Sequence, residues 1–348
     1  MLEILDLCMR IGSFELKSVR FAVERGDYFV VLGSSGVGKT LLLETIAGLL
    51  PPSSGRILLR GRDITFEKIQ KREMSIVYQD SDLFPHLSVY DNIAYPLRCR
   101  RDKQVDGKVT AAALKTGIAD KLDRKPATLS GGEYQRAALA RSLAADSDLF
   151  LLDEPLSLLD AKSRNELRGL LRGLNRDGIT MVHVTHDYEE AIALATRIGV
   201  MESGRLVQVA PPDEIFRHPR SEFIARFVGI KNYFRGTLRP IVGSDLKEFS
   251  SNGIKILCNT EVPEGPAFLI IRHGEVAIGN AIESSGNCNS FPGVIRDVIP
   301  AKLGFEVTVD VGIELVVGIS EVERRSLDLS IGKQVWVSFN AFACNVYV

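Results

Sequence analysis

Three short stretches carry residue types suited to handling phosphate. "GSSGVGKT" runs from Gly33 through Ser34, Ser35, Gly36, Val37, Gly38 and Lys39 to Thr40, and fits the pattern G-x-x-x-x-G-K-[ST]. Its glycines let backbone N–H groups close around phosphate oxygens. Lys39 can reach the terminal phosphates, Thr40 can offer a hydroxyl to Mg²⁺, and the helix entered at Leu41 adds its positive dipole end. In "LFLLDEP" an apolar run closes on Asp153, placed to hold Mg²⁺ directly or through water, and Glu154, placed to orient and partly deprotonate an attacking water. Two adjacent unpaired acids closing a buried strand cost on the order of several kcal/mol, which argues against a purely structural role. In "LSGGEYQRAALARSL" the residues Ser130, Gly131 and Gly132 precede a helical segment and form a second anion-binding helix start, more than one bound nucleotide needs.

The elements that position these stretches alternate. Residues 1 to about 32 read as strands ending in "DYFVVLG"; "KTLLLETIAGLL" reads as a helix, residues 88–146 as mostly helical, and "SDLFLLDEP" as a buried strand. A helix in "NELRGLLRGL", a strand in "ITMVHVTHD" and a helix in "YEEAIALATR" follow. That alternation implies a parallel sheet covered on both faces. Near residue 230 the texture changes to short alternating segments such as "FEVTVDVG" and "QVWVSFNA", which predict a separate all-β, barrel-like domain. Within it "NYFRG" and "NSFPG" share N-x-F-x-G, read equally as a chance repeat of a turn or as a duplicated half-domain.

Composition bounds the partners. Lys and Arg total 43 against 44 Asp and Glu, a net charge of -1, with both signs mixed along the chain and no basic stripe for nucleic acid. The cluster Arg98, Arg100, Arg101 and Lys103 reads as a solvated face. Five cysteines without a C-x-x-C pair suit a reduced intracellular chain, with neither disulfides nor zinc expected. The N-terminus has acids where a signal peptide has bases, and no later run reaches the ~20 apolar residues of a spanning helix, so the chain reads as soluble, with binding to a membrane protein left open.

On "GSSGVGKT", "LSGGEYQRAALARSL", "LFLLDEP" and "VTHD", in that set and spacing, residues 1–230 resemble the ATP-binding cassette family. The resemblance implies an α/β P-loop NTPase cassette: a RecA-like core, an antiparallel β part and a helical subdomain at about 80–146. It implies two copies meeting head to tail around ATP and Mg²⁺, with Ser130 and Gly132 of one against the γ-phosphate held by Gly36, Lys39 and Thr40 of the other. His186 then matches the switch histidine acting with Glu154, and Asp160 ends the "SLLD" loop that links the two sites. Phe14 matches the aromatic on which adenine stacks, its alternative being an ordinary core residue. Gln79 matches the glutamine that approaches Mg²⁺ and water. Leu83, Phe84, Pro85, His86 and Leu87 match the groove that receives a helix of a membrane-spanning permease, the alternative being the core of the helical subdomain.

The β domain, residues 231–348, is similar to the C-terminal regulatory domain of importer ATPases, and "IIRHGEVAI" resembles that class's I-R-P-E segment with His273 in place of proline. The chain looks most like the molybdate and tungstate importers. The resemblance therefore implies an OB/MOP-like oxyanion domain in which Lys231, Asn232, Ser320 and Asn340 face molybdate or tungstate and the bound anion restrains the ATPase, the alternative being a domain that only dimerises. Glu323, Asn340 and Cys288 depart from that pattern and weaken anion binding. Further implied are two permease subunits docked at Gln79–Leu87, a periplasmic or extracellular solute-binding protein, and a place at the cytoplasmic face of the membrane. Importers of sulfate, iron, sugars or polyamines, and a soluble ATPase switch, are the alternatives.

Overall fold

The computed structural model describes residues 1–12, 14–79, 83–147, 149–282, 288–301 and 304–348. The chain divides into two compact units, Met1–Arg217 and His218–Val348. The division falls before the change of texture at 230 because a short helix, Glu222–Phe227, goes with the second unit: Glu222 pairs with Arg235 at 3.0 Å.

In the first unit the elements are β1 (Leu2–Ile11), β2 (Phe14–Val23), β3 (Tyr28–Leu32), α1 (Lys39–Ala47), β4 (Ser54–Leu59), β5 (Arg62–Asp63), β6 (Met74–Val77), α2 (Val89–Cys99), α3 (Val105–Thr116) and α4 (Gly131–Ala144). They continue with β7 (Leu149–Asp153), α5 (Ala161–Arg176), β8 (Thr180–Thr185), α6 (Tyr188–Leu194), β9 (Arg197–Glu202), β10 (Arg205–Ala210) and α7 (Pro212–Arg217). The central sheet runs β10-β9-β3-β8-β7-β6, parallel except for β10. Every residue of β3, β7 and β8 is buried, as expected of strands covered on both faces. A second sheet, β2-β1-β4-β5, is antiparallel and alternates. The core joins the inner faces of both sheets to Leu42, Leu43 and Ile46 of α1. One sequence expectation runs long: the helix read as "YEEAIALATR" stops at Leu194, because Arg197 already opens β9.

The far end of α1 is closed by a residue the sequence reading did not single out. Arg72 is buried and donates to the carbonyls of Thr45 (3.1 Å), Ile46 (2.7 Å), Thr65 (2.8 Å) and Glu67 (2.9 Å). A cation at the carbonyl end of α1 satisfies orphan acceptors and offsets the negative pole of the helix whose other end faces the phosphate loop.

The second unit contains α8 (Glu222–Phe227), β11 (Asn232–Pro240), β12 (Lys247–Ser251), β13 (Ile254–Cys258), β14 (Gly265–Ile271), β15 (Ala277–Gly279) and β16 (Cys288–Ala301). It ends with β17 (Gly304–Asp310), β18 (Glu314–Ile319), α9 (Glu321–Ser326), β19 (Gln334–Asn340) and β20 (Asn345–Tyr347). Two five-stranded antiparallel sheets, β13-β12-β11-β14-β20 and β15-β19-β16-β17-β18, share one core that includes Phe249 and Leu269 from the first and Val307 and Val337 from the second. The strand orders are the same path walked twice, with the short strands β15 and β20 exchanged between halves. The two N-x-F-x-G segments do the same job in each half. Asn232 opens β11 and clasps Val316 of the other sheet through both its amide atoms (2.8 and 2.7 Å). Asn289, in β16, clasps Leu257 in the same way (2.7 and 2.9 Å). The repeat is a duplicated half-domain.

Candidate functional site

The loops leaving β3, β7, β8 and β6 all lie at the carboxyl ends of parallel strands, where open α/β sheets bind ligands. Gly33 follows β3 and donates its N–H to the Thr185 carbonyl at 3.4 Å. Gly36 and Gly38 have φ of 80° and 99°, a region open to glycine at no steric cost. Nothing lies within 4 Å of where a Cβ on Gly36 would stand, so that face of the loop is free. A Cβ on Gly38 would instead overlap the Phe14 ring, which therefore lies against the loop. Lys39 is 5% exposed and donates to the Gly33 and Ser34 carbonyls at 2.9 and 3.0 Å. Burial pushes its pKa down, while Glu154, 3.8 Å away, and Asp153 pull it back up.

Thr40 donates its hydroxyl to Asp153 Oδ1 at 3.2 Å. Burial pushes Asp153 up to about 6, against the opposing pull of that bond. A hydroxyl and a buried carboxylate converging in this way suit a hard divalent cation, which takes oxygen ligands. Glu154 sits at φ 44°, a left-handed backbone that costs a non-glycine residue about 1–3 kcal/mol. Three bonds hold it there: its N–H to Val184 O at 3.0 Å, and the Ser157 N–H and hydroxyl to its own carbonyl at 3.2 and 2.9 Å. The resulting pose aims Oε2 at His186 Nδ1, 2.9 Å away. One carboxylate thus faces both the lysine and the histidine that the sequence singles out.

Gln79 stands past β6, with its carbonyl accepting from Gln135 Nε2 at 3.3 Å. Asp80, Ser81 and Asp82, inside the expected docking segment, lie outside the described residues. Leu83 departs from expectation: at 4% exposure it belongs to the core, not to a groove. Phe84 is half-buried against Tyr95 (4.6 Å) and under Arg141 (5.7 Å), while Pro85 and His86 are exposed.

Ser130 caps α4 in a capping box with Glu133, its N–H donating to the Glu133 carboxylate at 2.9 Å. Gly131 and Gly132 form the first turn, packed against Leu159 and Ser163. Asp160 caps α5, accepting from the N–H groups of Lys162 and Ser163, both at 3.0 Å. Ser130 thus bonds within α4, while Gly131 and Gly132 lie against the loop before α5 and its first turn.

In the second unit the four residues expected around an oxyanion are not brought together. Asn232 is fully buried and spent on Val316. Asn340 caps its own turn, accepting from Phe342 N–H at 3.0 Å, and is paired in register with Cys288 of β16 in the same sheet. Lys231 and Ser320 share one neighbourhood. Ser320 borders a cleft of about 460 Å³ with His273, Phe305 and Glu306, and Lys231 lies 3.8 Å from Glu306.

Sequence reasoning also missed Tyr28, His183 and Glu190, polar groups buried behind the site. The signal was present for two of them, as lone polar side chains in the apolar runs "DYFVV" and "TMVHVT".

The ABC transporter family model matches residues 16–157. Over the full length of both chains the protein is 38% identical to the molybdate/tungstate import ATP-binding protein WtpC of Pyrococcus abyssi. The chain belongs to the ABC transporter family. It is also 43% identical to the sulfate/thiosulfate import ATP-binding protein CysA 2 of Chromobacterium violaceum, over 80% of this chain and 75% of that one. A spermidine/putrescine import ATP-binding protein PotA of Pseudomonas aeruginosa is 38% identical over 86% and 84% of the two chains. The protein is thus an ATP-binding ATPase of the import kind, its hydrolysis coupled to transport and its work done with a membrane permease and a binding protein. Among the described residues no helix is long and apolar enough to cross a membrane.

Proposed function

We propose that this chain energises import of molybdate or tungstate by hydrolysing ATP between two copies of itself at the cytoplasmic face of the membrane. The observation that carries the reading is the single carboxylate of Glu154, held in a strained backbone between Lys39 and His186. Glu154 takes the proton from the attacking water as its oxygen bonds to the γ-phosphorus and the bond to the leaving oxygen breaks. His186 keeps that water in line, and Lys39 exchanges the loop carbonyls for phosphate oxygens. Thr40, Asp153 and Gln79 are the residues that would hold Mg²⁺, which would supply positive charge against the phosphate oxygens. Phe14 takes the adenine face, while Ser130 and Gly132 of the second copy close over the γ-phosphate. Phe84 and its exposed neighbours receive the permease helix.

The substrate assignment is supported by the full-length relative that is a molybdate/tungstate import protein. A sulfate importer is the second reading, supported by the 43% identity to the sulfate/thiosulfate protein. Uptake of labelled molybdate, tungstate and sulfate into vesicles carrying this chain and its permease separates them: competition confined to the first two is expected, and sulfate uptake alone would reverse the assignment. We further propose that molybdate or tungstate restrains the ATPase through the second unit, with Lys231 and Ser320 as its local contacts, the anion displacing the bond that the exposed Ser320 hydroxyl donates to Glu323 at 2.7 Å, and with Asn232 and Asn340 serving the scaffold. Transport-coupled ATPase measured against rising molybdate in wild type and Ser320→Ala tests this; superimposable curves would end it.

A further inference from the structure

Behind the proposed water-activating pair lies a buried polar cluster that the mechanism leaves idle. Glu190 on α6 is 2% exposed; its Oε2 accepts from the Thr185 hydroxyl at 3.0 Å and lies 3.9 Å from His183 Nε2. His183 is fully buried and spends Nδ1 on the Tyr28 hydroxyl at 3.0 Å, which leaves Nε2 without a hydrogen bond. From α5, Arg168 and Arg164 act on the same carboxyl electrostatically, and the Nε of each is buried and unpartnered. Among the described residues four buried side-chain nitrogens or oxygens lack a partner, and three of them belong to these neighbours of Glu190. Buried unsatisfied groups are rare and ask for a reason.

The neighbours lie beside the turn of His186, which the mechanism uses, and on α5, whose preceding loop ends at Asp160. Thr185 Oγ1 also accepts from Asp187 N–H at 3.0 Å, and Asp187 Oδ1 accepts from Glu190 N–H at 3.1 Å, so these three residues fold the turn on which His186 stands. On α5, Arg164 donates to the Leu159 carbonyl at 3.0 Å, inside the loop that ends at Asp160.

We propose that Glu190 is a positioning residue, whose buried carboxyl fixes the His186 turn against α5 and so sets the 2.9 Å pairing of His186 with Glu154. The inference rests on the reading of His186 and Glu154 given above. Burial raises the pKa of Glu190, and the Thr185 hydroxyl bond opposes that shift first among its neighbours. An amide would keep the acceptor oxygen that Thr185 needs, so Glu190→Gln conserves the clamp whereas Glu190→Ala removes it.

The test is steady-state phosphate release by the full chain with Mg-ATP, alongside ATP affinity and a thermal melt, for Glu190→Ala, Glu190→Gln, Thr185→Val, the Glu190→Ala/Thr185→Val double variant and His186→Ala. Glu190→Ala is expected to lower kcat about tenfold or more with KM for ATP changed by less than about twofold, the pattern of a lost transition-state interaction. Glu190→Gln should recover to within about threefold of wild type, and the double variant should be no worse than its worse single, because both break one linked unit. If His186→Ala lowers kcat but Glu190→Ala does not, the inference fails and the reading of His186 stands. If His186→Ala leaves kcat unchanged, both fail. A Glu190→Ala variant that loses kcat, ATP affinity and melting temperature together, with Gln no better than Ala, assigns Glu190 to packing and overturns the proposal.

Discussion

In the first unit the polar groups at the strand ends face one another across an open loop: Lys39 and His186 meet on Glu154, and Thr40 meets Asp153. In the second unit the corresponding candidates are spent on the scaffold: Asn232 clasps a strand of the opposite sheet and Asn340 caps a turn. The difference is one of strain and satisfaction. A left-handed Glu154 and a buried Asp153 pushed up to about 6 are costs that folding alone does not require. A fully buried Asn232 with both amide atoms bonded to Val316 stabilises the duplicated fold and exposes no polar atom to a ligand.

Substitutions in the two regions should therefore part company. The largest effect expected is at Glu154: Glu154→Gln should cut phosphate release by about 10²–10⁴-fold, the usual reach of a general base, with ATP affinity retained. Equal activity of the two proteins would move the base elsewhere. Next in size, Asn232→Ala leaves the Val316 N–H and carbonyl unpaired and should destabilise the second unit by about 2–4 kcal/mol in urea unfolding. Asn289→Ala should match it if the duplication is energetic as well as geometric. Neither should change the ATP affinity of the first unit.

A smaller effect is expected from pH. Burial pushes His183 down to about 3 from an ordinary 6.5. The unfolded chain binds a proton at this residue below 6.5 and the folded chain does not, so this contribution to stability is full above 6.5 and is lost as pH falls towards 3. Urea midpoints at pH 7 and pH 5 should therefore differ less in His183→Leu than in wild type; an unchanged difference would contradict a neutral buried imidazole. The smallest change expected in the isolated chain is for Phe84→Asp, with basal hydrolysis within about twofold of wild type while co-purification with the permease is lost.

What the sequence made legible follows the same divide. The phosphate loop, the acid pair and the capped helix at Ser130 could be read because each is a local pattern with a backbone consequence: positive φ at Gly36 and Gly38, a strand end at Asp153, a capping box at Ser130. The cluster of Tyr28, His183 and Glu190 could not be assembled, since three distant segments meet only once β3, β8 and α6 are packed. Arg72 was hidden likewise, because its acceptors are backbone carbonyls and leave no mark on side-chain patterns. In the second unit Asn232 and Asn340 carried the right residue types, but type alone does not tell a ligand contact from a scaffold bond. Leu83 was misplaced for a related reason: an apolar residue beside a surface segment can face either way, and it faces the core.

The central claim is that the nucleotide site is completed by a second copy, with Lys39 from one chain and Ser130 from the other. Mixing two full-length variants, Lys39→Ala and Ser130→Arg, tests it directly by phosphate release. Each variant alone should be inactive, because every pair it forms lacks one half of both sites. The mixture should regain turnover, since a mixed pair contains one site with an intact phosphate loop and an intact Ser130. A mixture no more active than either variant alone would contradict the account.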